Sequence, residues 1–324
     1  KTHESELLAG SEVLELYRKL GEAEMEPVTD HAGLVKLFTE NYRLCEIGPG
    51  QTVAVLSEGG QLRDYAEASL AAVRALGAEA VDVNVPSDSA MDASQRIANI
   101  GQNPLSQHPA AMQACKDADM VIDHMLLLFS REQIEMQKAG SRILMVVEPV
   151  EVLQRLFPTK ALRARVEAGE RLLADASSLR FVNQAGTDVT YRLAGKSILT
   201  EYGYTVTPGR WDHWPGGFLA TLAADGGVEG RVVMDRGDLL FPQKRALTEP
   251  VEFVIRDGWV REINGGREAA DLRAFIEGYD DPRAYALSHI GWGLNDACVW
   301  DPDLPGIGFE GKSDLITEMR ALAE

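Results

Sequence analysis

Residues 52–85 read TVAVLSEGGQLRDYAEASLAAVRALGAEAVDVNV, and this stretch decides the fold. Thr52-Val-Ala-Val-Leu56 is a short apolar run bounded by Gly48-Pro49-Gly50 and Glu58-Gly59-Gly60. Arg63 to Leu76 is an alanine-rich helical stretch ended by Gly77, and Ala80 to Val85 alternates like a strand until Pro86 stops it. Strand, glycine turn, helix and strand make a βαβ unit, whose parallel strands need the helix as crossover.

The same rhythm runs downstream. Pro109 to Ala118 reads as a helix, Met120 to Met125 as a buried strand, Ser130 to Ala139 as a helix and Ser141 to Val147 as another strand. Pro149 to Phe157 and Ala161 to Asp175 continue as helices. Upstream, Glu4 to Gly21 and Asp30 to Tyr42 have helical spacing, and Thr29 or Asp30 is placed to cap the second. Past residue 176 the texture changes to short strands with glycine turns: Leu179 to Asn183, Asp188 to Arg192, Glu229 to Met234, Val251 to Arg256 and Trp259 to Ile263. Asp257-Gly258 suits the two positive φ values of a type I′ hairpin, and Arg267 to Tyr279 reads as one helix. The expected fold class is α/β: an N-terminal, doubly wound, mostly parallel sheet domain over residues 1–176, then a mainly antiparallel α+β domain over 177–324 bearing the metal site.

Composition narrows the partners. With 32 basic against 50 acidic residues the formal charge is −18, which disfavours nucleic acid and anionic lipid, and no basic stripe appears. The apolar run at Met125 to Phe129 is far too short for a bilayer, which needs about 20 residues. Cys45, Cys115 and Cys298 form no CxxC pair, which fits a reducing, cytoplasmic setting. Gly59-Gly60 belongs to no GxGxxG or GxxxxGK[ST] pattern, and HExxH and GxSxG are absent.

Of the six histidines, His213 and His289 stand in unusual company. Pro208-Gly-Arg-Trp-Asp-His-Trp-Pro-Gly-Gly217 packs Arg210, Trp211, Asp212, His213 and Trp214 between proline and glycine punctuation, so charged groups sit in an apolar enclosure that can tune them. The bland alternative is a hairpin loop plugged by tryptophan. Ser288-His-Ile-Gly-Trp-Gly293 presents His289 beside Trp292 in a glycine-flanked turn, a setting for a metal ligand. Its natural partners are carboxylates, Glu201 and Glu268, and such a set suits Fe(II), Mn or Zn. His3 and His31 read as surface groups, His108 lies in a loop, and Asp123 and His124 stand near a strand end, where a cap or a crevice residue is equally expected.

Met125-Leu-Leu-Leu128, Ser141-Arg-Ile-Leu144, Val147-Glu-Pro149, Thr200-Glu-Tyr-Gly-Tyr204, the Pro208 to Pro215 motif and Ser288-His-Ile-Gly-Trp-Gly-Leu294 together resemble the 2,5-dihydroxypyridine 5,6-dioxygenase family. More remotely, the architecture resembles the thermophilic leucyl aminopeptidases of the aminopeptidase T type. The resemblance implies a non-heme Fe(II) dioxygenase that cleaves a small hydroxylated aromatic or N-heteroaromatic ring with O₂, acting as a homo-oligomer in aromatic degradation. It implies His289 as an iron ligand, with the other ligands in a His-x-Asp motif beyond Glu324. It gives His213, Glu201 and Asp212 catalytic roles, and Arg210, Trp211, Trp214, Phe129 and Trp292 substrate contacts. The aminopeptidase-like alternative is a hydrolase with one or two Zn, Mn or Co ions, using Glu201 or Glu268 as further ligands. One departure stands out: Phe129 occupies the place where the dioxygenase family has a histidine, and a phenyl ring can stack but cannot take a proton.

Overall fold

The computed structural model describes residues 27–87, 103–193, 195, 197–240 and 245–298. The expected helix over 4–21 lies outside them. Helix α1 (His31–Leu44) starts where Asp30 accepts the Gly33 N–H at 2.8 Å. Strand β1 (Thr52–Glu58), helix α2 (Arg63–Ala75) and strand β2 (Glu79–Val85) then form the βαβ unit. Helix α3 (Pro109–Asp117), strand β3 (Met120–Asp123), helix α4 (Arg131–Ala139) and strand β4 (Arg142–Val146) repeat it, followed by helices α5 (Val150–Arg155) and α6 (Lys160–Asp175). Every residue of β3 and β4 is buried, as expected for strands covered on both faces.

The remaining strands are β5 (Ser178–Val182), β6 (Asp188–Arg192), β7 (Ile198–Glu201), β8 (Trp211–Trp214), β9 (Phe218–Leu222) and β10 (Val228–Met234). After them come the short β11 (Leu239–Leu240) and β12 (Arg245–Ala246), then β13 (Val251–Arg256), β14 (Trp259–Gly265), helix α7 (Arg267–Glu277) and β15 (His289–Gly293). The first sheet has the order β2-β1-β3-β4-β8 and is parallel throughout; the antiparallel sheet has the order β14-β13-β10-β6-β5. The hairpin at Asp257-Gly258 has the positive φ values its sequence demands, 52° and 75°.

Two segments differ from their sequence reading. The Trp211–Trp214 segment lies beyond residue 176 yet returns to the first sheet as its fifth strand, parallel to β4. Its alternation explains the choice: Trp211 packs into the apolar cluster on one side of the sheet and Trp214 into the cluster on the other. The His289 segment is no turn but a strand, paired with β9 in a three-stranded antiparallel sheet β15-β9-β7. Its glycines serve packing, because a Cβ at Gly291 would lie 2.3 Å from the Phe218 ring. No helix among the described residues is long and apolar enough to cross a membrane.

Candidate active site

Open parallel sheets hold ligands in the crevice beyond the carboxyl ends of their strands, and acidic and imidazole groups collect there. Asp123 ends β3, Glu148 follows β4, and His213 lies on β8. Register aligns Asp123 with Met145 and Met145 with His213, so these three side chains share one face of neighbouring strands. Glu201 closes the group from the end of β7. His213 Nε2 stands 3.7 Å from Glu148 Oε1, and its Nδ1 stands 3.6 Å from Glu201 Oε2. His213 and Glu148 are fully buried, and Glu201 is 2% exposed.

Both separations exceed a direct hydrogen bond. Neither ring nitrogen of His213, nor Glu201 Oε2, nor Trp211 Nε1 has a hydrogen-bond partner among the described residues. Buried polar groups are ordinarily satisfied, because leaving one open costs about 1–3 kcal/mol. Four such atoms side by side mark a polar interior built to receive something. The Trp211 ring stacks on His213 with centroids 6.4 Å apart and planes 18° apart, forming an apolar wall.

Asp212 points to the opposite face of β8. Its Oδ1 accepts the N–H groups of Tyr202 (3.0 Å), Gly203 (2.8 Å) and His213 (2.9 Å), and its Oδ2 accepts Arg210 at 2.9 Å. Burial pushes the Asp212 carboxyl up to about 7, opposed by the Arg210 guanidinium and the Gly203 N–H. Arg210 also donates to the Thr200 carbonyl at 2.7 Å and lies 4.3 Å from the Tyr202 ring centroid. The two residues expected as acid–base group and substrate contact are thus engaged with the protein's own groups. Trp214 is likewise committed: it is fully buried, donates to the Leu153 carbonyl at 3.2 Å and packs edge-on against Phe38 and Phe157.

Asp123 secures the loop that follows it, its carboxylate accepting the N–H of Met125 at 2.7 Å and of Leu127 at 2.8 Å. Burial raises its pKa to about 6, with those N–H groups and His213 acting against it. Ser130 caps α4 through the Gln133 N–H, and the Gln133 side chain reaches back to the Phe129 N–H. Phe129 is held at φ 59° with 62% of its surface exposed. His124 is a core residue. Its Nδ1 meets the Val146 carbonyl at 2.7 Å and its Nε2 meets Ser69 Oγ at 3.0 Å, while burial lowers its pKa to about 4.

His289 stands apart from this group. Register puts Glu201 opposite Phe218 and His289 opposite Leu222, so both face the same side of the sheet from opposite ends of β9. Four residues of strand separate them, about 13 Å along the chain direction, with the Phe218 ring lying over Gly291 between. Ser288 Oγ lies 3.1 Å from His289 Nδ1, a contact that orients the ring. Although solvent reaches the ring, its packed surroundings lower its pKa. Trp292 is half-buried against the cluster formed with Leu219 and Ile290. Glu268 has its carboxylate on Thr248 (N–H 3.1 Å, Oγ1 2.7 Å) and Arg245 (2.6 Å), which drops its pKa to about 2.

Among the described residues, no group of three or more histidine, cysteine, aspartate or glutamate side chains comes together as a metal site. His289 fits one leg of a facial set of imidazole and carboxylate ligands; the described residues do not complete it. Glu148, absent from the sequence-derived candidates, is the residue that the fold adds. Its signal is a lone carboxylate that follows a fully buried, mostly apolar strand and precedes Pro149, at a carboxyl end of the sheet.

A family model described as 2,5-dihydroxypyridine 5,6-dioxygenase matches residues 33–323. The chain is 39% identical over 276 residues to a 2,5-dihydroxypyridine 5,6-dioxygenase of Pseudomonas putida, covering 85% of this chain and 79% of that protein. The solved structure of a 2,5-dihydroxypyridine dioxygenase from Pseudomonas putida KT2440 superposes with a TM-score of 0.82 at 37% identity, covering 92% of this chain and 84% of the other. AmpT from Thermus thermophilus superposes with a TM-score of 0.53 at 18% identity, covering 80% and 77%, a likeness of fold alone.

Proposed function

The chain belongs to the 2,5-dihydroxypyridine 5,6-dioxygenase family and is a ring-cleaving dioxygenase, and from that premise we propose that His213, between Glu148 and Glu201, handles the proton of a hydroxylated N-heteroaromatic ring. The observation that carries this reading is the buried imidazole, open at both nitrogens, with a carboxylate 3.6 Å and 3.7 Å away on either side.

Opening a hydroxylated ring to O₂ requires the ring to become electron-rich, which means losing a hydroxyl proton. A ring nitrogen of His213 takes that proton, and the charge it gains is balanced by Glu201 and Glu148 at close range, where low dielectric makes such balance effective. Trp211 supplies a flat apolar wall for the ring and its indole N–H offers a hydrogen bond to a ring oxygen. Phe129, at the rim, stacks on the ring and excludes water. His289 would hold a ferrous ion together with ligands from outside the described residues. That ion, when bound, supplies the activation of dioxygen.

Charge sharpens the substrate class. Asp123, Glu148 and Glu201 line the proton-handling side, and the nearby cation, Arg210, is committed to Asp212 and Thr200. A ring bearing its own carboxylate meets repulsion there, so neutral hydroxypyridine-type rings are favoured over hydroxybenzoates. The hydrolase alternative would use Glu201 or Glu268 together with His289, but Glu268 is spent on Arg245 and Thr248, and no observation favours that chemistry.

The test is oxygen uptake by iron-loaded, full-length protein with 2,5-dihydroxypyridine and with a carboxylated analogue. Turnover of the first, at least tenfold faster than the second, is expected. Equal turnover would remove the charge argument, and no turnover of either would remove the assignment.

A further inference from the structure

We infer that Asp212 and Arg210 are positioning residues, a two-part clamp that sets the spacing between Glu201 and His213 without touching substrate. The inference rests on the reading of those two as the proton-handling pair, but its evidence is backbone geometry on the far face of β8. Asp212 Oδ1 gathers three N–H groups, those of Tyr202, Gly203 and His213. Arg210 bridges Asp212 Oδ2 to the carbonyl and the hydroxyl of Thr200, at 2.7 Å and 3.1 Å. The clamp therefore grips the residue before Glu201, the residue after it, and the backbone of His213 itself.

Two features make the clamp specific to this spacing. The Tyr202-Gly203 turn and the Gly216-Gly217 turn touch backbone to backbone: a Cβ on Gly216 would sit 2.1 Å from Gly203 N, so neither segment has slack to absorb a shift. Asn41 donates to the Gly203 carbonyl at 3.0 Å, and Asn295 donates to the Gly216 carbonyl at 3.2 Å, anchoring the two turns from outside. With the turns fixed, the remaining freedom is the tilt of the Glu201 peptide relative to β8. Asp212 removes it. A carboxylate can accept three N–H bonds and a guanidinium at once; an amide keeps one acceptor oxygen but turns an N–H₂ toward Arg210.

The experiment uses the full-length protein in three variants: Asp212→Ala, Asp212→Asn and Arg210→Lys. Glu268→Gln serves as a structural control, since it breaks a pairing in the antiparallel half. Two readouts are taken on folded samples: kcat and KM with 2,5-dihydroxypyridine, and the ring-nitrogen NMR signal of His213 at fixed pH, which needs no turnover. Misplacing a reacting group by about 1 Å costs about 100-fold in rate, so Asp212→Ala should lower kcat about 100-fold with KM changed less than about threefold. Asp212→Asn should fall between it and the parent, and all three clamp variants should move the His213 signal. Glu268→Gln should move neither readout.

A folded Asp212→Ala protein with parental kcat and an unmoved His213 signal overturns the clamp. So does a loss of rate that merely tracks the unfolded fraction. If Asp212→Ala does not fold, Arg210→Lys decides alone, because lysine can still pair with Asp212 but cannot span to Thr200 as well. If the parent protein does not turn over the ring, the functional assignment falls while the His213 signal still tests the clamp.

Discussion

Glu201 and Glu268 are both glutamates with almost no exposed surface, 2% and 6%, yet the protein treats them in opposite ways. Glu268, at the start of α7, is closely paired: Thr248 donates twice to Oε1, the Arg245 guanidinium stands 2.6 Å from Oε2, and its pKa is held well below the usual glutamate range. Glu201, at the end of β7, keeps Oε2 open toward an imidazole that is itself open at both nitrogens. A carboxylate buried for stability is furnished with donors, because an unpaired buried charge is expensive. A carboxylate buried for chemistry is left with capacity to spare, and the neighbouring structure supports the cost.

The largest break of this comparison is His213→Ala. General acid–base groups contribute about 100- to 10,000-fold, so kcat in oxygen-uptake assays should fall within that range while the melting temperature holds or rises, the open imidazole having been a burden on stability. A drop in melting temperature with full activity would reverse the roles drawn here. His289→Ala comes next: the protein should stay folded, since the side chain is solvent-exposed, but lose bound iron by elemental analysis and activity by at least about 100-fold.

Glu268→Gln tests the other half. Activity should hold, and the melting temperature should fall by a few degrees at neutral pH. The sign of the pH dependence follows from the lowered pKa. The contribution of Glu268 is fully present above its ordinary value near 4.5 and is lost as pH falls toward about 2. Thermal melts of parent and variant should therefore converge in strong acid. The smallest effect is expected from Phe129→His, which restores a proton acceptor at the rim. Histidine tolerates the left-handed φ of 59° better than most residues, so stability should change by less than about 0.5 kcal/mol. The rate with 2,5-dihydroxypyridine should rise by several-fold if a second proton acceptor at the rim assists His213.

The difference between the two halves also explains what the sequence made legible. The βαβ rhythm was readable because β1, β3 and β4 are mostly apolar runs and β2 alternates, with helices between them marked by Gly77, Pro109, Ser130 and Gly140. The strands that build the site hide themselves: Trp211–Trp214 carries Asp and His in its middle, His289–Gly293 spends two of five residues on glycine, and Ile198–Glu201 ends on a carboxylate. Functional groups break the very periodicity by which strands are recognised. Phe218–Leu222, with four of its five residues buried, shows no alternation at all. The sequence pointed to His213, Glu201 and Asp212 through residue type and family resemblance together, but it could not separate Asp212, which faces away and binds backbone, from His213, one residue on and facing the crevice. Nor did it single out Glu148, which joins them only through the order of strands β3, β4 and β8.

The central claim is that this chain couples a buried carboxylate–imidazole–carboxylate line to oxygen-dependent ring opening. The direct measurement is oxygen uptake by iron-loaded, full-length parent, Glu148→Gln and Glu201→Gln proteins with 2,5-dihydroxypyridine under saturating conditions. One O₂ consumed per ring by the parent, with kcat lowered at least about tenfold in each folded variant, is the expected result. Uptake at the parental rate in both variants would contradict the account.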